Sequence, residues 1–374
     1  MIIRSNCCIC NVKLENSIIF KDFPSRIGVS SSLDYNYNDL SISQCTECNT
    51  FQLNKLVPLD ELYVVSHNNE IIGKVWLNHF IEFSKFIKEN KENLLDVLEI
   101  GSPTDKIIKY IDAENYNKWV LLDPNAVKYD NDKVISINQF LDKDLLIKDK
   151  YNTIIHSHLI EHLYNPVEQL SLMNDLLDDN GDLFISAPNM EYYGCTHSPF
   201  LGIHFEHTYF LNRINTIYLL NKSNFGVKNI INYNTHSLFY HCKKEKNLNI
   251  SIDMVKQYNI TSKYFFDTKI NYYKELVSSI NKKILKCNSP IYIFGCQTNT
   301  LMLIYFKLNT ENVKFILDND KTKQNKYFYG TNLLCKSPEI LSIVNNPYII
   351  CYIGEYTNEV KIQLNNINSN ITYI

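Results

Sequence analysis

The sequence predicts an α/β protein whose central part is a parallel sheet with helices on both faces. Apolar strand-like runs alternate with helix-like segments from residue 66 to residue 255. The run "LLDVLEIGSPTDKIIKYI" (94–111) passes from an apolar strand through an acid and a glycine into a short turn and a helix, as a nucleotide-binding α/β unit opens. A second, smaller α/β pattern follows residue 256, and an irregular, cysteine-rich segment precedes both. We therefore expect three domains, 1–65, 66–255 and 256–374, with the polar stretch near 243–262 at the second boundary.

The bulk composition narrows the class. The chain has 374 residues, 45% apolar and 13% aromatic, enough for several cores. Its net charge is −3, with lysines and acids intermixed, so no basic face marks nucleic acid as a partner. No run reaches the ~18–20 apolar residues of a membrane helix. The N-terminus, MIIRSNCCIC, lacks the apolar core of a signal peptide. A cytoplasmic protein with no membrane partner is expected, and its eleven cysteines then read as thiols or metal ligands.

Taken in order, the first segment carries two CxxC pairs, Cys7/Cys10 and Cys45/Cys48, with 34 residues between them. Two such knuckles can set four thiolates tetrahedrally around Zn²⁺ and leave no open position, so the ion would be structural and Cys8 the spare thiol. Next, Trp76, Phe80, Phe83 and Ile87 recur at helical spacing and mark a packing helix. Strands are expected at Val97–Ile100, Trp119–Leu122, Val134–Ile137, Thr153–Ile155 and Leu183–Ser186. A helix should begin at Pro166, capped by Asn165 with Glu168 at capping-box spacing, and end in the turn Asp178-Asp179-Asn180-Gly181. In the last segment Ile291–Phe294, Val313–Leu317 and Tyr348–Ile353 read as strands, Gly295–Asn299 as a turn, and Thr300–Leu308 as a helix.

The 94–111 turn holds one glycine, Gly101, where dinucleotide loops carry two or three. Those glycines let a pyrophosphate press on the backbone at a helix N-terminus. S-adenosylmethionine has no pyrophosphate, and one glycine gives its ribose and methionine tail clearance. Glu99 can hold the amino end of the methionine portion. Asp123, 22 residues after Gly101 in "WVLLDPN", stands where a second strand's acid binds the ribose hydroxyls. Ser102 and Pro124 flank these two positions, and Ser157 and His158 end the fourth strand, which faces the same crevice.

"HSHLIEHLYNP" (156–166) and "LLDDNGDLFISAPN" (176–189) resemble the fourth-strand and fifth-strand segments of class I methyltransferases. Together with "CTECNTFQL", "LYVVSHNNEIIGKVWLNHF" and "FILDNDKTKQNKYFYGTNLL", which holds Asp318, Lys323, Gly330 and Thr331, the chain resembles the three-domain nucleotide-sugar C-methyltransferases. The resemblance implies a Rossmann-like class I core, an N-terminal zinc module, a C-terminal Rossmann-like α/β domain and a nucleotide-linked keto-deoxysugar as acceptor.

It also implies a base. The family's Tyr-His-Glu-His run falls on "GIHFEHTYF", where His204 and Phe205 stand for the first two members and Glu206 and His207 for the last two. His207 is then the candidate base, with Glu206 and His204 beside it; His197 lies in the same loop, and a downstream Thr-His pair falls on Thr235 and His236. His suits proton removal beside a ketone for C-methylation and equally from a hydroxyl for O-methylation. Of His156, His158 and His162, one is expected to line the pocket. Two other readings stay open: an NAD(P)-dependent nucleotide-sugar oxidoreductase using "IYIFGCQTNT" and Asp318, and a catalytically inactive methyltransferase-like binding module.

Overall fold

The computed structural model describes residues 1–15, 17–63, 74–145, 149–189, 202–234, 236–246, 250–258 and 260–374. His197 and Thr235 lie outside the described residues. Its centre is a seven-stranded sheet of β1 (Leu95–Ile100), β2 (Tyr116–Leu122), β3 (Val134–Ile137), β4 (Tyr151–Ser157), β5 (Leu177–Pro188), β6 (Phe225–Tyr233) and β7 (Ser237–Lys244). The spatial order is β6-β7-β5-β4-β1-β2-β3, and β7 runs antiparallel to both its neighbours. All five strands expected from the sequence are present. The order reverses between β1 and β4, which opens a crevice at their C-terminal ends, where open α/β sheets bind ligands.

Helix α1 (Lys74–Asn90) buries Trp76, Phe80, Phe83 and Ile87, as their spacing predicts, together with His79 and Phe86. Helix α2 (Pro166–Leu176) starts at the expected proline, but its cap differs. The Asn165 side chain makes no capping bond; instead the Asn165 N–H donates to Gln169 Oε1 (3.1 Å). Asp178–Gly181 do not form a separate turn. They bulge within β5, between the Tyr151–Leu177 and Thr153–Asp182 pairings. The helix expected after Gly101 is reduced to a 3₁₀ turn, Ile108–Tyr110. Pro103 has no N–H to give, and β-branched Thr104, Ile107 and Ile108 weaken helical propensity.

A second sheet contains β8 (Ile291–Phe294), β9 (Val313–Leu317), β10 (Cys335–Lys336), β11 (Tyr348–Ile350) and β12 (Thr372–Tyr373), all parallel, in the order β10-β9-β8-β11-β12. Helix α3 (Thr298–Tyr305) follows β8.

The cysteine-rich segment forms an antiparallel sheet of Ser17–Pro24, Tyr37–Gln44 and Phe51–Leu53, and Tyr209–Phe210 adds a fourth strand beside Phe51–Leu53. This segment touches both α/β sheets. Phe20 and Phe23 pack on Tyr305, and Val29–Ser30 pair with Tyr327–Phe328. The "YFYGT" stretch is explained here, since the Tyr37 and Tyr35 hydroxyls donate to the carbonyls of Gly330 and Thr331. No helix among the described residues is long and apolar enough to cross a membrane.

Candidate functional site

A cavity of ≈ 900 Å³ opens at the β1/β4 crevice. Gly101, Asp123, Pro124, Ser157 and His158 line it. Gly101 has φ +74°, and a Cβ there would stand 2.9 Å from Leu159 Cδ1, so the backbone itself demands glycine. Asp123 ends β2 with its Oδ1 accepting from Asn125 N–H (2.7 Å), and burial raises its pKa. The Ser157 hydroxyl is buried with no hydrogen-bond partner among the described residues. Ile100, Leu122, Phe140 and Leu141 provide apolar wall.

Glu99 and Ser102 sit elsewhere. They line a small adjoining cavity with Trp76 and Phe80, which shares Gly101, Lys106 and Ser157 with the large one. The Glu99 carboxylate accepts from Trp119 Nε1–H (2.9 Å), and burial pushes its pKa up to about 7. The donor set fits S-adenosylmethionine: one strand-end carboxylate, an unpartnered hydroxyl, apolar wall for a base, and a single glycine followed by no α-helix N-terminus for a pyrophosphate.

Tyr63, His162 and Tyr164 also line this cavity. The Tyr63 hydroxyl is 2.8 Å from His162 Nδ1, and the His162 ring lies 4.9 Å from that of His207. His207 is thus one layer behind the wall, and the His204 ring packs 4.1 Å away on it. Burial, then the neighbouring His204 and His162, hold the His207 pKa well below the ordinary value. Glu206 is buried, and the Tyr63 pKa is raised first by burial and then by the nearby Glu206 charge. The carboxylate that shares a cluster with the His162 and His207 rings is Glu161, whose pKa burial raises to about 7.

Both His158 and His162 reach the cavity wall, while His156 is buried in the sheet. His158 is held at φ +50° with its Nε2 2.8 Å from Ser237 Oγ, and burial lowers its pKa to about 3, so its imidazole is neutral. Sequence reasoning missed Glu161, Tyr63 and Lys106. Only the Glu-His dipeptide in 156–166 hinted at the first, because the contacts to residues 63 and 207 span long loops.

The loop of Glu206 and His207 is seated by the cysteine-rich segment. Leu53 N–H donates to the Thr208 carbonyl (2.9 Å), and the Arg4 guanidinium donates to the carbonyls of Thr208 (2.8 Å) and Tyr164 (2.7 Å). In that segment the sulfurs of Cys7, Cys10, Cys45 and Cys48 all lie within 4.8 Å of one another, with Cys7–Cys48 at 3.5 Å and Cys10–Cys45 at 3.3 Å. A tetrahedral site with Zn–S of about 2.3 Å needs sulfurs about 3.8 Å apart. Gln52 Nε2–H donates to Cys7 Sγ (3.2 Å), a bond of the kind that orients a metal-bound thiolate. The four residues fit zinc.

Residues 76–225 match a family described as a methyltransferase domain. No curated protein matches the chain. Similar solved structures include an S-adenosylmethionine-dependent methyltransferase from Clostridium acetobutylicum, at 10% identity over 46% of this chain and 91% of that one, with a TM-score of 0.35. Another is a SAM-dependent methyltransferase from Aquifex aeolicus, at 15% identity over 43% and 88%, with a TM-score of 0.36. The plantazolicin methyltransferase in complex with SAH gives 14% identity over 46% and 86%, with a TM-score of 0.38. Residues 76–225 are thus similar to a methyltransferase domain.

Proposed function

We propose that this protein transfers the methyl group of S-adenosylmethionine to a nucleotide-linked deoxysugar, at the carbon beside a ketone or at a hydroxyl. One observation carries the reading: Asp123 at the end of β2 and the Tyr63–His162 pair line a single cavity. The cofactor, when bound, supplies an electrophilic methyl on a sulfonium; the chain's residues do the rest. Asp123 binds the ribose hydroxyls, and Ser157 and His158 line the crevice beside it. Proton removal from the acceptor falls to the histidine cluster, with His207 as the proposed base and His204, Glu206 and Tyr63 around it. Tyr63 and Tyr164 offer flat faces to a sugar, their hydroxyls being held by His162 Nδ1 and the Val57 carbonyl.

The rest of the chain serves this site. We assign residues 1–65 to a zinc module whose ion is structural, 66–255 to the methyltransferase core and 256–374 to a C-terminal α/β domain. The zinc module would hold the 202–210 loop against the core through Arg4 and Leu53.

The test is to incubate the protein with labelled S-adenosylmethionine and a panel of nucleotide sugars and to locate the label by NMR. Label on a sugar carbon or oxygen supports the reading. Exchange of the proton beside the ketone for deuterium assigns carbon as the target. No transfer to any nucleotide sugar, with cofactor binding intact, would remove the acceptor class.

A further inference from the structure

Glu161 sits in the middle of the 3₁₀ turn Ile160–His162, 5% exposed, and among the described residues no donor from another residue meets hydrogen-bond geometry at either carboxylate oxygen. A buried carboxylate left so is costly, and its surroundings call for an explanation. Its Oε1 lies 3.3 Å from His158 Nδ1 and 3.7 Å from His162 Nε2. One donor atom from each of Glu161, His162 and His207 falls within 4.8 Å of the others.

Both imidazoles are oriented from behind. The Nδ1 of His162 meets the Tyr63 hydroxyl at 2.8 Å, which leaves its Nε2 toward Glu161. The His207 ring bonds to the Gly202 backbone, and a Cβ at residue 202 would stand 2.0 Å from His207 Nδ1. That packing requires glycine and pins the ring. Histidines that bind metals are usually fixed in this way, one ring nitrogen tied to a hydroxyl, carboxylate or carbonyl and the other on the ion.

We propose that Glu161, His162 and His207 form a second metal site, for a divalent first-row transition ion. Two imidazoles and one carboxylate suit Zn²⁺, Fe²⁺, Co²⁺ or Mn²⁺ and leave positions open. His162 lines the large cavity, so those positions face the place where the proposed function puts the acceptor. A bound ion would polarise the acceptor's ketone or acidify its hydroxyl. It would also occupy the His207 lone pair, so that His207 acts as a free base in the ion-free protein and as a ligand in the loaded one. The inference rests on the proposed function for the role of the ion and not for its binding.

The experiment is a Co²⁺ titration of the full-length, zinc-loaded protein, followed by ligand-field absorption and by metal analysis after desalting. The result expected is one ion per chain beyond the zinc of the four cysteines, with the spectrum of a nitrogen and oxygen site and no thiolate-to-cobalt band. Glu161→Gln, which keeps size and removes charge, should abolish this second ion while the cysteine-bound zinc and cofactor binding remain as proof of folding. Tyr63→Phe should weaken it by about 10–100-fold. No second ion at saturating Co²⁺, Zn²⁺ or Mn²⁺ would overturn the proposal, as would a second ion retained in full by Glu161→Gln. If the ion binds and no nucleotide sugar is methylated, the site stands and the acceptor reading falls.

Discussion

The core sheet and the C-terminal sheet repeat one arrangement, and they differ in whether its crevice is open. The order β3-β2-β1-β4-β5 in the first matches β10-β9-β8-β11-β12 in the second. Gly101 and Gly295 both follow the first strand with positive φ, and their N–H groups donate to Leu122 and Leu317. Asp123 and Asp318 both follow the second strand, with N–H groups bonded to Ile137 and Lys336. Beyond that the two diverge. Asp318 is consumed by its own protein, accepting from Cys296 N–H (2.8 Å) with the Lys323 ammonium at 3.3 Å. Asp123 faces the ≈ 900 Å³ cavity. Two residues before the glycine the core carries Glu99, where the C-terminal sheet carries Ile293. A shared topology therefore does not make a binding site; the residues that leave its acids unspent do.

The largest effect should come from the module that braces both sheets. Structural zinc supplies on the order of 10 kcal/mol of folding free energy. With Cys7, Cys10, Cys45 and Cys48 holding zinc as proposed, chelation should unfold that module, measured by proteolysis, and abolish turnover by unseating the Glu206–His207 loop. The core should still bind S-adenosylhomocysteine. Chelation that leaves both module and turnover intact would break this account.

Next is the acid that only the core sheet has. Burial raises the Glu99 pKa in the fold to about 7, against an ordinary value of 4.5. Between those values the unfolded chain gives up the proton first, so stability falls as pH rises from about 4.5 to 7, by about 3 kcal/mol. Denaturant melts across this range should show a slope in the wild type that is shallower by the Glu99 share in Glu99→Gln, the remainder coming from Glu161, whose pKa burial also raises to about 7. No equivalent slope is expected from Ile293.

The third pair exchanges the two strand-end acids. Asp123→Ala should weaken cofactor affinity by about 30–100-fold, the worth of about 2–3 kcal/mol of charge-assisted hydrogen bonding, with little change in melting temperature. Asp318→Asn should do the reverse, costing about 1.5–3 kcal/mol of stability and leaving cofactor affinity alone. Calorimetry of both variants decides it.

The smallest effects should come from the glycines. Gly101→Ala and Gly295→Ala each force a side chain into the left-handed region, at about 1–2 kcal/mol. A Cβ at Gly295 meets Ile353 Cγ2 at 3.0 Å, much as one at Gly101 meets Leu159. Only the Gly101 change should also lower cofactor affinity, as titrations of the two variants would reveal.

The strands were legible in the sequence because each is a short apolar run closed by a polar or small residue. The crevice was legible through Gly101 and Asp123, since strand-end positions follow from local pattern. The helix after Gly101 was not, because Pro103 and the isoleucines outweigh the apolar spacing. The Glu168 capping box failed for a similar reason, one residue's offset letting Gln169 take the Asn165 N–H. Least legible was the cluster around His162. Tyr63 meets His162 across 99 residues, and Glu161 joins His207 from another loop. No local spacing encodes such contacts, whereas Glu206, adjacent to His207 in sequence, drew the eye on proximity alone.

The most direct measurement is an isothermal titration of S-adenosylhomocysteine into the full chain, with NAD⁺ and NADP⁺ as comparisons. We expect one molecule of S-adenosylhomocysteine bound per chain in the wild type and in Asp318→Asn, a sharp loss of affinity in Asp123→Ala, and no heat from either dinucleotide. Binding of a dinucleotide with none of S-adenosylhomocysteine, or unchanged affinity in Asp123→Ala, would contradict the assignment of the open crevice.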